Sequence, residues 1–356
     1  TMTKQEQAMI NLHAGTVIPA IPLCLNENRQ YDEKGQRLLL RYYLNAGSGG
    51  IAAAVHTTQF EIRLPQYNLY EPVLKTVADE IDRYEAKTGK TIVRVAGVCG
   101  EIAQAVKEAA LCKKLGYTAV LLSPGGVGHL TEAEMLTRTA AVADIMPVIG
   151  FYLQPAAGGR IFTFDYWKKL AAIENVVAIK CASFNRYTTI DVVRAVAECP
   201  RGHEITLYTG NDDNIVVDLL TEYKFEINGK SVTRRFEGGL LGHWSVWTKS
   251  AVELFERLKI AAKEPMISQE LLTLAAEVTD TNAVLFDACN NFRGCIAGLH
   301  EVLRRQGLMK GIWCLNPEET MSVGQAQEID RIYRMYPHLN DDAFIQKNIE
   351  NWKKDL

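Results

Sequence analysis

The stretch V-V-A-I-K-C-A-S at residues 176–183 is a short run of apolar and β-branched residues that contains one lysine, Lys180. Such a continuous run is typical of a strand buried on both faces. A lysine at the tip of that strand can extend its ammonium into water. Alternatively, it lies in an apolar pocket, where desolvation lowers its pKa and leaves a nucleophilic amine. Cys181 is predicted to point to the opposite face and to serve packing.

Runs like this one alternate with longer segments of helical spacing. Eight barrel strands are predicted, at 16–23, 50–55, 92–98, 119–123, 147–152, 176–181, 205–209 and 240–246. The helices are predicted at 34–46, 64–87, 102–114, 131–143, 164–172, 189–197, 212–220 and 249–263. Eight such repeats predict an α/β fold, a (β/α)8 TIM barrel with right-handed crossovers. An open doubly wound sheet is the alternative, although no G-x-G-x-x-G follows the first strand.

Two segments fall outside this alternation. Residues 224–237 alternate in polarity around Asn228-Gly229, which predicts an inserted type I′ β-hairpin. From residue 267 onward only helical patterns occur, at 269–278, 282–306, 324–335 and 340–354. The predicted domains are therefore a barrel over residues 1–265, which carries the active site, and a helical C-terminal domain over 266–356.

Composition excludes several classes of function. The net charge is −3 and neither half carries a basic block, which argues against a nucleic-acid partner or an anionic membrane surface. No run approaches the roughly 20 apolar residues of a membrane span, and the eight cysteines lack the close pairs of a zinc site or a disulfide framework. We expect a cytoplasmic protein with reduced thiols.

In a (β/α)8 barrel the active site lies at the carboxyl ends of the strands, so the residues that close each run are the site candidates. These candidates are Thr57, Thr58, Ser123, Pro124, Gly125, Gly126, Tyr152, Lys180, Thr209, Gly210, Asn211, Asp212, Gly239, Gly242 and Ser245. Hydroxyls and backbone amides thus converge on Lys180. This grouping favours the interpretation of Lys180 as a buried nucleophile over that of a surface lysine whose ammonium extends into water.

Several of these motifs, in this order, resemble the dihydrodipicolinate synthase and N-acetylneuraminate lyase family, the class I pyruvate-type aldolases. The matching segments are T-V-I-P-A-I-P-L, G-G-I-A-A-A-V-H-T-T, F-Y-L-Q-P, V-V-A-I-K-C-A-S, Y-T-G-N-D-D and G-G-L-L-G-H-W-S-V. The most specific match is a lysine 28 residues after a Y-x-x-P tyrosine, both at strand ends. The resemblance implies a homotetramer or homodimer of barrels, no metal, and no cofactor beyond a covalent imine on the lysine.

The resemblance also implies roles for individual residues. Lys180 matches the lysine that forms a Schiff base with pyruvate or another 2-keto acid, and Tyr152 matches the tyrosine that relays protons to the imine. Thr57 and Thr58 match the pair that holds the substrate carboxylate. Locally, Tyr152 could instead be a packed aromatic, and the threonines could cap the next helix. We also assign His56, Gly210, Gly239 and Ser245 to substrate binding because they lie at the same rim.

Four positions depart from the family pattern. Gly125 and Gly126 stand where many members carry a second relay tyrosine, and Ala157 stands where the synthases place an arginine for a second carboxylate. His56 replaces the usual glycine before the threonine pair. It is either a structural hydrogen-bonding residue or a substitute acid and base.

The acids at 212 and 213 are interpreted as residues that cap the next helix and complement its dipole, and no metal is predicted there.

These observations predict a Schiff-base class I lyase of aldolase type that acts on a 2-keto acid. We expect pyruvate as the keto component or product and do not expect a typical dihydrodipicolinate synthase. Two alternatives stay open at this point. One is a dehydratase of a deoxy-keto sugar acid that uses the same lysine, and the other is a catalytically silent ligand-binding barrel.

Overall fold

The predicted barrel is confirmed by a computed structural model, which describes all 356 residues. Eight parallel strands form one sheet in the order β1-β10-β7-β6-β5-β4-β3-β2, and a parallel bridge between Ala20 and Ala52 joins its two edges. The barrel strands are β1 Val17–Pro19, β2 Gly50–Ala53, β3 Val93–Val98, β4 Ala119–Leu122, β5 Val148–Leu153, β6 Val176–Ala182, β7 Thr206–Thr209 and β10 Phe236–Leu241.

Thirteen helices accompany the strands. They are α1 Lys4–Ala14, α2 Glu33–Asn45, α3 Tyr70–Thr88, α4 Ile102–Lys114, α5 Glu132–Ala143, α6 Phe164–Ala171, α7 Arg186–Glu198, α8 Ile215–Leu220, α9 Thr248–Ala261, α10 Gln269–Leu285, α11 Cys295–Arg305, α12 Gln325–Met335 and α13 Asp342–Trp352. The helix predicted over 282–306 is wrong, because a loop at 286–294 separates α10 from α11. No helix combines the length and the apolar character that crossing a membrane requires.

Strand alternation sorts the barrel side chains into two layers. On β6, Ala178 and Ala182 belong to the cluster that fills the barrel interior, whereas Ile179 and Cys181 pack outward against the helices. Cys181 therefore points away from Lys180, as predicted, and its thiol lies 3.6 Å from the Thr189 hydroxyl. The odd positions of β5 likewise point inward and the even ones outward.

The predicted hairpin is present as β8 Tyr223–Ile227 and β9 Lys230–Arg234, paired antiparallel. Asn228 and Gly229 have φ values of 51° and 76°, and a type I′ turn requires positive φ at both positions. The hairpin runs almost directly into β10, so the last barrel strand begins at Phe236. The prediction of 240–246 was therefore placed too late, because residues His243–Ser245 form a 3-10 turn beyond the strand.

Helix α1 closes the amino end of the barrel, and it is not among the helices predicted from the sequence. It begins with a capping box between Thr3 and Glu6. Leu12, at its end, is fully buried in the barrel interior, and its carbonyl accepts a 2.7 Å hydrogen bond from the Tyr208 hydroxyl. The opposite, carboxyl end of the barrel remains available for a site.

The C-terminal helices are tied to the barrel by buried polar groups. The Arg41 guanidinium, on α2, pairs with both carboxylate oxygens of Glu80 at 3.1 and 3.2 Å. It also donates to the carbonyls of Trp352 and Lys354 at 2.8 and 2.7 Å. Because one guanidinium bonds all of these groups, Arg41 connects the outer helices of the barrel to the end of the chain.

We expect Arg41→Met to destabilise the protein by about 2–4 kcal/mol, since it leaves two carbonyls without this donor and leaves the buried Glu80 carboxylate with only Arg37, at 3.2 Å. Urea unfolding measures this change. The control is Arg83→Met on α3, where the arginine is exposed, and there we expect a change below about 0.5 kcal/mol. Equal stability of the two variants would contradict the proposed connection.

Candidate active site

Lys180 lies inside the barrel at the carboxyl end of β6 and is only 7 % exposed. Its Nζ atom is 4.6 Å from the centroid of the Phe151 ring on the neighbouring strand. A Cβ atom at Gly210 would come within 2.5 Å of the Lys180 Cε atom, so glycine is needed there for the lysine to pass. The ammonium therefore does not extend into solvent. Of the two positions considered for Lys180, the structure shows the one inside a pocket.

Burial changes the protonation of this lysine. Desolvation lowers the pKa of the Lys180 amine, and the negative charge of Asp212 partly opposes that shift. A lowered pKa increases the neutral, nucleophilic fraction near neutral pH. The site therefore meets the electronic requirement for imine formation.

Asp212 is a strand-end candidate that we had interpreted as a helix cap, and the structure places it in the cavity. Its carboxyl is 5 % exposed, lines the same cavity as Lys180 and accepts a 2.9 Å hydrogen bond from the His243 backbone N–H. Desolvation raises its pKa, while the His243 amide and the Lys180 charge lower it. A buried carboxyl and a buried amine with pKa values shifted toward each other are suited to exchange a proton near neutral pH.

The capping interpretation of the acids at 212 and 213 is wrong. Helix α8 begins at Ile215 after Asn214, so Asp212 lies too far upstream to bond its first amides. Asp213 instead forms a partly exposed ion pair with Arg186 at 3.2 Å. The position of Asp212 directly after the carboxyl end of β7, one strand from Lys180, was the signal that should have outweighed the capping interpretation.

His56 and Thr57 lie in a 3-10 turn after β2, and both line the cavity. The first N–H groups of a helical turn have no partner within it, so this turn presents amide donors for an anion. Desolvation and the Lys180 charge lower the pKa of His56 to about 4. The imidazole is therefore neutral at pH 7 and can donate or accept a hydrogen bond without adding charge.

Thr58 has a different position from its neighbour. Its hydroxyl is fully buried, donates to the Ile21 carbonyl at 2.8 Å and accepts from the Val55 N–H at 3.3 Å. The bond to Ile21 holds the turn against the segment that follows β1. The structure therefore brings Thr57, but not the Thr58 side chain, to the cavity.

Tyr152 is not brought to Lys180. It pairs with Cys181 in the sheet and points outward, where its ring stacks on Trp167 at 5.0 Å. Its hydroxyl oxygen accepts a 3.1 Å hydrogen bond from the Phe162 N–H. Phe151 is the β5 residue that faces the lysine. Tyr152 is thus a packed aromatic residue, which was the alternative considered for it. Strand alternation turns its side chain to the outer face of the barrel, away from Lys180.

Of the three remaining positions assigned to substrate binding, one lines the cavity and two do not. Gly210 lines the cavity beside Lys180. Gly239 lies within β10 against the Trp244 ring, and the fully buried Ser245 hydroxyl donates to the Gly242 carbonyl at 2.6 Å. Neither reaches the cavity, because β10 ends before Gly242 and Ser245 belongs to the turn behind it.

The cavity that these residues line is partly open to solvent and has a volume of about 80 Å³. Ala157 lines it at the position of the expected arginine. Arg160 is turned away from it, with its guanidinium bonded to the Leu130 carbonyl and 5.1 Å from the Phe162 ring centroid. In this chain no group of three or more His, Cys, Asp or Glu side chains is arranged to hold a metal ion.

Comparison with known proteins identifies the family of this chain. The model of the dihydrodipicolinate synthetase family matches residues 13–222, more than half of the chain. The chain belongs to the dihydrodipicolinate synthetase family. This is a family of class I pyruvate aldolases, whose members are lyases. No curated protein matches the chain.

Solved structures share the fold at low identity. Dihydrodipicolinate synthase from Oceanobacillus iheyensis has a TM-score of 0.72 at 16% identity, over 93% of this chain and 99% of that one. N-acetylneuraminate lyase from Fusobacterium nucleatum, solved with pyruvate, gives 0.68 at 16% identity, over 94% and 99%. The pyruvate complex of the Acinetobacter baumannii synthase gives 0.70 at 20% identity, over 93% and 99%. The family members' common barrel is therefore present in this chain.

Proposed function

We propose that this protein is a class I lyase that forms a Schiff base between Lys180 and a 2-keto acid, with pyruvate as the keto component or product. The observation that carries the proposal is the buried lysine inside the barrel mouth, with its pKa lowered by desolvation. Structural relatives solved with pyruvate support the choice of keto acid.

The chemistry starts with attack of the neutral Lys180 amine on the keto carbon, which gives a carbinolamine. Loss of water from the carbinolamine requires an acid and gives the imine. The enamine then forms in one of two ways: a base removes a proton from C3, or the bond between C3 and C4 breaks. We assign this proton transfer to Asp212, since its raised pKa keeps both protonation states accessible near neutral pH. The substrate carboxylate is assigned to the turn of His56 and Thr57.

The same geometry argues against dihydrodipicolinate synthesis. Ala157 provides no charge for a second carboxylate, and Arg160 is bonded elsewhere. We therefore propose a different partner for the keto acid.

Borohydride trapping tests the proposal. Incubation with pyruvate and sodium borohydride should add the mass of a reduced pyruvyl group to Lys180, located by peptide mass spectrometry. Exchange of the pyruvate methyl hydrogens in D₂O, followed by proton NMR, reports the enamine without knowledge of the second substrate. Absence of an adduct with every 2-keto acid tried would refute the Schiff-base mechanism.

The rate of trapping should rise with pH through a midpoint below the ordinary lysine pKa of about 10.4. The sign follows from desolvation, which favours the neutral amine and so lowers the pKa of Lys180. Single-turnover trapping between pH 5 and 10 measures the midpoint. A midpoint at or above the ordinary lysine value would show that the amine is not desolvated in solution.

We also propose that the chain assembles as a homotetramer or homodimer, as the family resemblance implies. In support, Tyr187 and Ile190 are 85% and 43% exposed and lie three residues apart on one face of α7. Light scattering after size-exclusion chromatography measures the mass, and a monomer at micromolar concentration would contradict this.

A further inference from the structure

Phenylalanine rings form much of the wall of the Lys180 cavity. Phe151 comes from β5, Phe184 follows β6, and Phe286 and Phe292 come from the loop between α10 and α11. The rings of Phe184 and Phe292 meet edge to face, with centroids 5.8 Å apart. The C-terminal helices thus contribute aromatic side chains directly to the candidate active site.

Ionised groups are scarce in the same cavity. Lys180 and Asp212 are the charged residues that line it, and both are assigned to the reacting end of the substrate. The His56 imidazole is neutral at pH 7 because its pKa is about 4. A second carboxylate on a substrate would therefore have no cation to pair with, and burying it unpaired is unfavourable.

The aromatic wall is held by specific polar contacts. The Phe184 backbone N–H donates to the Asn211 side-chain oxygen at 3.0 Å, and Phe184 has a positive φ of 54°. Asn211 also donates to Asp218 at 2.9 Å, which fixes its orientation. A bulky residue adopts positive φ only when its surroundings impose it. The position of the Phe184 ring is therefore imposed by buried neighbours and is not that of a free loop residue.

The loop that carries Phe292 is held in the same manner. Asp287, Asn291 and Phe292 have φ values of 56°, 54° and 64°. The Asp287 carboxylate is buried and accepts hydrogen bonds from the Gly294 N–H at 3.0 Å, the Asn290 amide at 2.7 Å and a serine hydroxyl of the following segment. Asp and Asn tolerate this conformation, but a bulky Phe292 adopts it only under constraint. Its N–H donates to the Asp287 carbonyl at 3.0 Å, so the bonds around Asp287 fix the backbone that carries the Phe292 ring.

From this geometry we infer that the keto acid or aldol which this site accepts carries an apolar, aryl or alkyl, substituent beyond C3, in place of a carboxylate or a polyhydroxyl chain. The inference rests on the proposed Schiff-base function and specifies its substrate class. An aryl or alkyl group gains contact with the phenylalanine rings. Beyond the groups assigned to the keto acid, the Gln154 amide also lines the cavity. A polyhydroxyl chain would find that one amide for several hydroxyls, and a carboxylate would find no cation, so both would lose more hydration than the wall replaces.

The test measures imine formation, so it does not depend on knowing the second substrate. The protein is incubated with pyruvate, 2-oxo-4-phenylbutanoate or 2-oxoglutarate at a series of concentrations, and the adduct at Lys180 is trapped with borohydride. We expect the half-saturating concentration of 2-oxo-4-phenylbutanoate to be at least about tenfold below that of 2-oxoglutarate.

A matched pair of variants locates the effect. Phe292→Ala should reduce the preference for 2-oxo-4-phenylbutanoate over 2-oxoglutarate by about tenfold. Phe164→Ala removes a half-buried phenylalanine of α6 that does not line the cavity, and it should leave the preference unchanged. If Phe292→Ala does not fold, Phe292→Leu should reduce the preference by a smaller factor in the same direction.

The outcomes separate the two proposals. Adducts with all three acids and a preference for 2-oxoglutarate, or no preference, would overturn the apolar substrate class and leave the Schiff-base function standing. An unchanged preference in the Phe292 variants would also overturn it. Absence of any adduct would refute the proposed function, and the inference that rests on it would fail too.

Discussion

Replacing Lys180 by alanine should abolish the borohydride adduct with pyruvate and reduce methyl-hydrogen exchange by on the order of 10⁴-fold or more. The reason is that no other amine lines the cavity to form the imine, and removal of a covalent nucleophile leaves only residual binding effects. Peptide mass spectrometry measures the adduct, and proton NMR of pyruvate in D₂O measures the exchange.

Two controls keep this result interpretable. Lys169→Ala removes an exposed lysine of α6 and should leave both the adduct and the exchange unchanged. A thermal melt of Lys180→Ala establishes that the barrel is folded. A folded Lys180→Ala protein that still forms a pyruvyl adduct would place the nucleophile elsewhere and remove the basis of the proposed mechanism.

Asp212→Asn should reduce methyl-hydrogen exchange by about 10²- to 10³-fold, because the amide keeps the shape of the carboxyl but cannot carry the proton. A second readout separates this role from a structural one. The Asp212 charge raises the pKa of Lys180. Its removal should therefore move the midpoint of the trapping pH profile to lower pH, while the pyruvyl adduct still forms.

The neighbouring residue is a matched control. Asp213→Asn removes a carboxylate that pairs with Arg186 outside the cavity and whose charge contributes to the raised pKa of Asp212. We therefore expect exchange to stay within a few-fold of the parental rate, far from the loss in Asp212→Asn, and the trapping midpoint to stay as in the parent protein. If Asp212→Asn exchanges pyruvate at the parental rate, another group carries the proton. His56, which also lines the cavity, would then be the next candidate.

Local pattern was sufficient to predict most of the barrel. The strand β6 was predicted over 176–181 and runs from Val176 to Ala182, because a continuous β-branched run has few alternatives to a buried strand. The hairpin followed from Asn228-Gly229, whose positive φ values few other residue pairs adopt. Short-range sterics control such features, so they can be recognised from a few residues.

The position of Tyr152 could not be obtained from spacing. The pairing of β5 with β6 shifts by one residue between Val148 and Ile149, so that Phe151, rather than Tyr152, lies opposite Lys180. A one-residue shift moves every later side chain to the other face. Counting 28 residues along the chain does not detect that extra residue, since it exists only in the pairing of two strands.

The chain alone was enough to predict the fold class, the hairpin and the strand that carries Lys180, since hydrophobic periodicity and turn chemistry are local properties of the sequence. The folded arrangement was needed to find Asp212 beside that lysine and to place the loop of Phe286 and Phe292 at the cavity. The charge interaction between Lys180 and Asp212 joins residues on separate strands, and Phe292 is more than 100 residues from the lysine. Such contacts arise from packing in low-dielectric surroundings, and no local pattern encodes them.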